Sequence, residues 1–245
     1  MHLIGMITLC KKKIDLLFKY NFPETLRKEG FYIEFFMQTI DYFKTPIWSE
    51  QKSEWVKPLN KLCDGYIENT KDLYKDEIEK QGSDFGIVYH SKDLSDLPEL
   101  ETYLNYIGIK SNDFLSGMGY DLKNHSLVFT SAWVQEFPKD GGGNHNTHIH
   151  ANNHVSGFFY LNISSEGSYP VFHDPRPAVL ASALPQKNKD EITHASESFH
   201  YKPRPGTLII IPAYLNHQYV VSKNDPFRFI HFNLQAIENR FLNND

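Results

Sequence analysis

The strongest constraint on the fold lies after about residue 125, where apolar residues stop recurring at helical spacing. From there the chain consists of short runs rich in β-branched and aromatic residues, separated by Gly, Pro, Asn and Asp. The runs are LVFTSAWVQEF, VSGFFYLNI, PVFHD, GTLIIIPAY, HQYVVS and FRFIHFNLQAI. Several short strands without helices between them predict an antiparallel sandwich or barrel. A jelly roll, or double-stranded β-helix, is the member of this group that commonly encloses a metal site.

The first half of the chain shows a different pattern. In PETLRKEGFYIEFFMQTIDYF, in SEWVKPLNKLCDGYIENTKDLYKDEIEKQG and in DLPELETYLNYIGIKSNDFLSGMGY, apolar residues recur every three or four positions among Lys and Glu. This spacing predicts amphipathic helices, and MHLIGMITLC is interpreted as a first strand. We therefore expect residues 1–125 to be an N-terminal extension and helical support region, of which 1–40 is the extension. Residues 126–245 are expected to be the jelly-roll catalytic core, with both parts in one compact unit.

Histidines cluster in GGGNHNTHIHANNH, between a glycine run and a strand-like segment. In a strand, residues i and i+2 point to the same face, so His148 and His150 would present two imidazoles side by side. Two ligands from one strand hold a transition metal poorly, and a third is expected from a distant segment. His217, at the start of a late strand, is a suitable candidate. The alternative is a chance His-x-His pair in a surface loop.

Arg228, in PFRFIHFNL, shares a strand face with Ile230, Phe232 and Leu234, which predicts a core-facing position. A guanidinium in an apolar environment is unfavourable unless it is paired. Arg228 therefore implies a buried anion. One interpretation is the carboxylate of a small ligand, which suits the bidentate geometry of arginine. The alternatives are an internal salt bridge to Asp or Glu, or a strand whose opposite face is buried.

Taken in order, the His-x-His pair, SGFFYLN, FHDPR, PGTLIIIPAYLNH and an arginine followed by FIHFN resemble the iron(II)- and 2-oxoglutarate-dependent oxygenases. The resemblance is closest to an oxygenase family common in marine phages and bacteria, and it covers roughly residues 127 to 235. It implies a jelly-roll dioxygenase, a hydroxylase, that uses Fe(II), 2-oxoglutarate and O2. Such an enzyme couples conversion of 2-oxoglutarate to succinate with oxidation of a substrate C–H bond.

The resemblance also assigns roles to single residues. His148, His150 and His217 match the metal ligands, and Arg228 matches the residue that pairs with the distal carboxylate of 2-oxoglutarate. Tyr160 resembles a tyrosine that helps to hold the same carboxylate, with a core aromatic as the alternative. Gln135 is a further candidate for contact with the cosubstrate.

Two positions depart from the wider superfamily. A carboxylate is usual where this chain has His150, so Asp174 or Asp140 is an alternative oxygen ligand. Ser or Thr is frequent where the chain has Ile230. The competing hypothesis is a cupin-type metalloprotein that does not use 2-oxoglutarate, with His154 at the position of the usual cupin glutamate. Such a cupin-type protein could be a dioxygenase, an isomerase or a ligand-binding module. Arg228 discriminates, because the oxygenase requires it in the site and the cupin does not.

Charge and cysteine usage limit the partners. A net charge of −5 gives no basic footprint for nucleic acid. Cys10 and Cys63 are too far apart in sequence to indicate a disulfide framework or a thiolate zinc site, and no apolar run is long enough to span a membrane. We therefore expect a cytoplasmic enzyme that binds a small-molecule cosubstrate. The primary substrate and the oligomeric state stay open.

Overall fold

Two antiparallel β-sheets form the centre of the computed structural model, which describes residues 44–139, 141, 144–163, 168–176, 181, 184–222 and 227–242. The expected first strand at 1–10, the helix expected within 23–43 and the extension 1–40 lie outside the described residues. The strands are β1 (Trp48–Gln51), β2 (Tyr89–His90), β3 (His125–Phe137), β4 (His145–His148), β5 (Val155–Asn162), β6 (Tyr169–His173), β7 (Ser198–His200), β8 (Thr207–Pro212), β9 (His217–Val220) and β10 (Phe227–Glu238).

The strand order is that of a jelly roll. The larger sheet runs β1-β8-β5-β10-β3-β2 and the smaller runs β4-β9-β6-β7, with neighbours antiparallel throughout. Side chains from both sheets meet in one aromatic cluster, in which Phe158 and Phe229 of the larger sheet pack with Phe172 and Tyr219 of the smaller one. We call the face of the larger sheet that looks into this cluster the inner face. The prediction of an antiparallel jelly-roll fold is confirmed.

Helices cover the other face of the larger sheet, which we call the helix-side face. They are α1 (Val56–Leu73), α2 (Lys75–Gln81) and α3 (Glu101–Gly117), while the short α4 (Asn239–Leu242) follows β10. Leu59, Cys63 and Ile67 recur every four residues on α1 and are buried against the sheet, so the helical spacing of this segment correctly predicted a helix. In the part of the chain that the structure describes, no helix is both long and apolar enough to cross a membrane.

Strand β10 is buried on both faces along its first eight residues. Ile230, Phe232 and Leu234 pack on the helix side, whereas Phe227 and Phe229 belong to the inner aromatic cluster. A strand covered on both sides reads as a continuous apolar run rather than as an alternation. The sequence FRFIHFNL therefore shows that β10 is central but does not show which face meets the smaller sheet.

Gly157 fixes how closely β5 and β10 approach. Its register partner on β10 is Phe232, and a Cβ atom at position 157 would collide with the Phe232 ring and with the Ile209 carbonyl oxygen on β8. Only glycine leaves room for this ring, so the pair locks the register of the two central strands.

Candidate metal centre

Three histidines from two strands of the smaller sheet converge at one point. His148 ends β4 and is the register partner of His217, which begins β9, while His150 follows two residues after the end of β4. The ring centroids lie 4.5 Å apart for His148 and His217, 5.0 Å for His148 and His150, and 5.2 Å for His150 and His217. One ligand nitrogen from each ring lies within 4.8 Å of the other two. The structure thus brings together the three histidines that the sequence singled out.

Backbone carbonyls fix the orientation of two of these rings. His148 Nδ1 lies 2.7 Å from the Asn146 carbonyl oxygen, and His217 Nδ1 lies 2.9 Å from that of Leu215. A carbonyl only accepts, so in each ring Nδ1 carries the proton and Nε2 keeps its lone pair for a metal. The Nε2 atoms of His150 and His217 are 3.3 Å apart. Nitrogens that share an ion at about 2.1 Å each can be at most about 4.2 Å apart, and this pair meets that limit.

Burial keeps two rings of the cluster uncharged. It lowers the pKa of His217 to about 3 and that of His150 to about 4, and repulsion among the neighbouring imidazoles lowers both further. Each of these two rings is therefore neutral at pH 7. Metal ligation requires neutral imidazole, so these two rings can bind a cation without first losing a proton. Imidazole suits Fe, Zn, Cu and Ni, and the donor set fits a divalent transition metal.

A carboxylate does not complete this cluster among the residues that the structure describes. Asp174 is held by Arg176, whose guanidinium contacts both carboxylate oxygens at 2.6 to 3.2 Å. The same interaction lowers the pKa of Asp174. Asp140, the other alternative ligand, lies outside the described residues. The described candidate is therefore the three-histidine set.

His231 is a neighbour of the cluster that the sequence analysis did not identify. It lies on the inner face of β10, with ring centroids 4.5 Å from His150, 4.1 Å from Trp133 and 4.7 Å from Phe158. Burial lowers its pKa well below the usual value. The signal was present in FRFIHFN, where His231 and Arg228 fall on opposite faces. The sequence analysis predicted the core on the side of Arg228 and made no prediction for His231.

Tyr160 and Gln135 both lie on the inner face. Tyr160 belongs to the aromatic cluster and is fully buried, and its ring stacks on Phe227 with centroids 6.0 Å apart. Gln135 is the register partner of Phe229, and its Oε1 accepts a 3.3 Å hydrogen bond from Trp133 Nε1. Both are thus on the side of the sheet that carries His231.

Arg228 is on the wrong face for the role expected of it. It is core-facing and shares its face with Ile230, Phe232 and Leu234, as predicted, but this face packs against the helices. Its Nε donates to Glu136 at 2.6 Å, and its Nη1 donates to Asp64 at 2.6 Å and to Asn60 at 3.1 Å, both on α1. The buried anion is therefore an internal carboxylate, which was the alternative interpretation. Arg228 is not brought to the three histidines.

His154 also stays apart from the cluster. Its Nδ1 accepts a 3.0 Å hydrogen bond from the backbone N–H of Ala236, and its own backbone pairs with Leu234 and Ala213. The residue thus ties the start of β5 to neighbouring segments. The cupin-type hypothesis, which placed His154 at the position of the usual glutamate, finds no support in this geometry.

The strands that carry the cluster match a known family. Residues 131–233 match the model of the family described as putative 2OG-Fe(II) oxygenase, and this range contains all three histidines, strand β5 and the first part of β10. This central part of the chain is therefore similar to the 2OG-Fe(II) oxygenases. A comparison with curated proteins gives no match.

Solved structures are similar to this chain at low sequence identity. The α-ketoglutarate-dependent carbocyclase SnoK from nogalamycin biosynthesis has a TM-score of 0.52 and 11% identity, over 79% of this chain and 82% of SnoK. A prolyl-4-hydroxylase from Pseudomonas putida has a TM-score of 0.49 and 10% identity, over 78% and 94%. An oxidoreductase of the 2OG-Fe(II) oxygenase family from Burkholderia pseudomallei has a TM-score of 0.43 and 15% identity. This match covers 60% of this chain and 66% of the oxidoreductase.

The two groups that the family name implies fit this chain unequally. The iron is matched by three imidazoles, and a set of three protein ligands leaves positions for a chelating 2-oxo acid and O2. The distal carboxylate of 2-oxoglutarate is not matched, because the inner face presents no cationic side chain among its described residues. The metal therefore fits the site, and the charged end of the cosubstrate does not.

Proposed function

We propose that His148, His150 and His217 bind Fe(II) in this enzyme and that a substrate C–H bond is oxidised beside them. Bound iron would supply the activation of O2, coupled to decarboxylation of a 2-oxo acid. In the balanced reaction, one O2 is consumed, one oxygen atom enters the new carboxylate and the other enters the substrate as hydroxyl. The carboxylate is succinate when the 2-oxo acid is 2-oxoglutarate.

The observation that carries this proposal is the orientation of the imidazoles. Two of the three rings have Nδ1 committed to backbone carbonyls, and the Nε2 atoms of His150 and His217 face each other at 3.3 Å. Nε2 of His217 is an acceptor, and Nε2 of His150 can either donate its own proton to it or, when that ring is protonated at Nδ1, present a second lone pair. In the second tautomer a metal ion between the two nitrogens removes the repulsion of the lone pairs.

The remaining inner-face residues would shield and position the reactants. Phe158 lies with its ring centroid 5.3 Å from that of His217 and closes one side of the centre against water. Ser156 Oγ, His231 Nε2 and Asn233 Oδ1 are buried and have no hydrogen-bond partner among the described residues. We infer that these three atoms receive polar groups of the primary substrate. Gln135 and Tyr160 are proposed to contact the cosubstrate.

A cupin-type metalloprotein without 2-oxoglutarate is the second candidate, and one observation favours it. Arg228, which would pair with the cosubstrate, is bound by Glu136 and Asp64 on the far side of the sheet. On this alternative the three histidines bind a metal, but no 2-oxo acid joins them. The two candidates share the metal centre and differ in what else binds.

We also propose a cytoplasmic location and a helical region, residues 44–125, that supports the core 126–245 within one folding unit. The buried, free thiol of Cys63 and its contacts with the sheet support both proposals. The acidic net charge supports a small molecule rather than a polynucleotide as the primary substrate.

The proposed metal centre can be tested by anaerobic calorimetric titration of metal-free protein with Fe(II). Wild type is expected to bind one equivalent, and the alanine variants of His148, His150 and His217 are each expected to lose about 100-fold or more in affinity. His200→Ala is the matched control, because His200 is exposed on β7. His150→Asp is expected to retain iron, since a carboxylate is an equally suitable ligand. Normal binding by a triad variant would remove that residue from the ligand set.

Turnover distinguishes the two candidates. With Fe(II), ascorbate and O2, the oxygenase is expected to decarboxylate a 2-oxo acid slowly even without its primary substrate. A cupin-type protein would bind the iron equally well but would neither bind nor decarboxylate any 2-oxo acid. Metal binding without 2-oxo acid binding would therefore select the second candidate.

A further inference from the structure

The interior of the barrel beyond the three histidines is lined by aromatic rings. On the inner face these rings are Phe158 and Tyr160 on β5 and Phe229 and Phe227 on β10. The ring of Tyr219, on β9 of the smaller sheet, packs against them. Each is at most 4% exposed. Neighbouring ring centroids lie 4.9 to 6.3 Å apart. A ligand that extends from the metal centre toward these rings meets uncharged, largely apolar surfaces.

Among the buried side chains that the structure describes, permanent positive charge lies on the helix-side face. Among the buried side chains of the described residues, Arg228 is the only one with a permanent positive charge. It points toward α1, where Glu136 and Asp64 neutralise it, and Lys71 supplies Glu136 with a second cationic neighbour at 3.3 Å. Arg176 is partly exposed and is held by Asp174. A carboxylate that entered the aromatic interior would lose its hydration and gain no described counterion.

Two hydroxyl groups at this end of the barrel interact only with each other among the described residues. The Oη atoms of Tyr160 and Tyr219 are buried, and neither makes a hydrogen bond with a third described residue. Burial raises the pKa of both phenols well above the usual value, so that they remain protonated donors. Neutral donors in an apolar environment can satisfy an uncharged acceptor, but they do not neutralise a carboxylate.

We propose that this aromatic interior selects a 2-oxo acid with an uncharged, apolar or aromatic tail in preference to 2-oxoglutarate. The inference rests on the proposed metal centre, which would chelate the shared 2-oxo acid group of either compound. The aromatic interior then discriminates between the tails, because an apolar tail gains from burial next to Phe158 and Phe227 whereas a carboxylate loses its solvation.

The test compares ligands that differ in tail charge alone. Protein loaded with one equivalent of Fe(II) is titrated anaerobically with 2-oxoglutarate, with its C5 methyl ester and with 2-oxopentanoate, and binding is followed by the visible charge-transfer band of the chelate. Phenylpyruvate adds an aromatic tail. We expect the uncharged compounds to bind at least about tenfold more tightly than 2-oxoglutarate. Equal or tighter binding of 2-oxoglutarate would overturn the proposal.

Two variants locate the origin of the preference. Phe227→Arg introduces a cation on the inner face and is expected to shift the preference toward 2-oxoglutarate by about tenfold or more. Arg228→Gln changes the neighbouring residue on the helix side and is expected to leave the ratio of affinities within about twofold, since this residue lies outside the aromatic interior. If Arg228→Gln, folded and loaded with iron, loses 2-oxoglutarate selectively, the proposal is wrong. Should Phe227→Arg fail to fold, the wild-type ligand series still decides.

The outcome separates this inference from the function on which it rests. Failure to bind Fe(II) would refute the metal centre itself. Normal Fe(II) binding with no chelation of any of the four compounds would refute the role of the aromatic interior and leave the metal centre, in favour of the cupin-type candidate. A preference for 2-oxoglutarate would refute the selectivity of the aromatic interior while supporting the 2-oxo acid-dependent oxygenase.

Discussion

The two faces of β10 differ in how they stabilise polar groups. On the helix-side face, the guanidinium of Arg228 forms ion pairs with Glu136 and Asp64. Each of these three charged groups therefore has a partner of opposite sign. On the inner face, His231 and Asn233 are buried with atoms that have no described partner, next to three imidazoles that hold their nitrogens toward one another. The first arrangement is complete without a ligand, while the second is incomplete without one. Unsatisfied groups rather than charges therefore mark the functional side of this sheet.

Removal of the arginine is expected to have the largest effect and to fall on stability alone. Arg228→Gln leaves Glu136 buried with only Lys71 nearby, and breaking a buried pair costs about 3–5 kcal/mol of unfolding free energy. Urea unfolding measures this loss, and Fe(II) affinity should stay at the wild-type value. The control Arg228→Gln/Glu136→Gln should be less destabilised than the single variant, because it leaves no unpaired buried charge. A stable single variant with weakened iron binding would reverse the assignment of the two faces.

Acid should destabilise the metal-free protein through the buried histidines of the smaller sheet and the segment after β4. Burial lowers the pKa of His217 to about 3 and those of His150 and His145 to about 4, whereas these groups titrate near 6.5 when unfolded. Between these limits the unfolded chain binds more protons, so stability is complete above about pH 6.5 and falls as the pH falls. The expected slope is up to about 1.4 kcal/mol per pH unit for each histidine.

Urea midpoints measured in chelator from pH 7.5 to 4 test this dependence. His145→Asn should reduce the slope, because it removes one of the three groups, and the exposed His200→Asn should leave it unchanged. A flat profile over this range would mean that the histidines are not buried as neutral groups.

Gly157→Ala tests how tightly the two faces are coupled through the central strands. The added methyl would meet the Phe232 ring and the Ile209 carbonyl oxygen, and we expect a loss of about 1–3 kcal/mol. Phe232→Leu in the same protein should relieve only the ring contact and give partial rescue. Full stability of Gly157→Ala in thermal unfolding would show that β5 and β10 can separate more easily than their register suggests.

The smallest effect is expected at the exposed end of the arginine network. Asp64 has 63% of its side chain exposed, in contrast to 7% for Glu136, although both carboxylates lie 2.6 Å from Arg228. Asp64→Asn should therefore cost less than about 1 kcal/mol, as is usual for solvent-exposed pairs. Glu136→Gln is the matched comparison and should cost clearly more in the same urea assay. Equal losses would indicate that water reaches both pairs alike.

Local patterns predicted the elements well. The four-residue recurrence of Leu59, Cys63 and Ile67 indicated α1, and the β-branched runs indicated the central strands, because these periods reflect which faces are buried. The paired histidines and His217 could be found for a similar reason, since their residue type is rare in apolar contexts and their spacing is restrictive.

The sequence did not indicate which face of β10 points into the barrel. In FRFIHFNL the residues on each face of the strand are apolar enough to be buried. Alternation therefore places Arg228 and His231 on opposite faces but does not show which face points into the barrel. Orientation depends on long-range packing, in which the helices take one face and the smaller sheet takes the other. The partners of Arg228 were equally hidden, because Asp64 and Glu136 lie far from it in sequence.

The alternation of β10 has a consequence for how such enzymes diverge. Since neighbouring residues on a strand point to opposite faces, a one-residue insertion or deletion ahead of β10 would exchange the two sets. It would turn the guanidinium of Arg228 into the barrel and its imidazole neighbour His231 out of it. The lock between Gly157 and Phe232 opposes such a slip in this chain. In a lineage where that lock is absent, a change in chain length rather than in residue type could alter which acids the enzyme accepts.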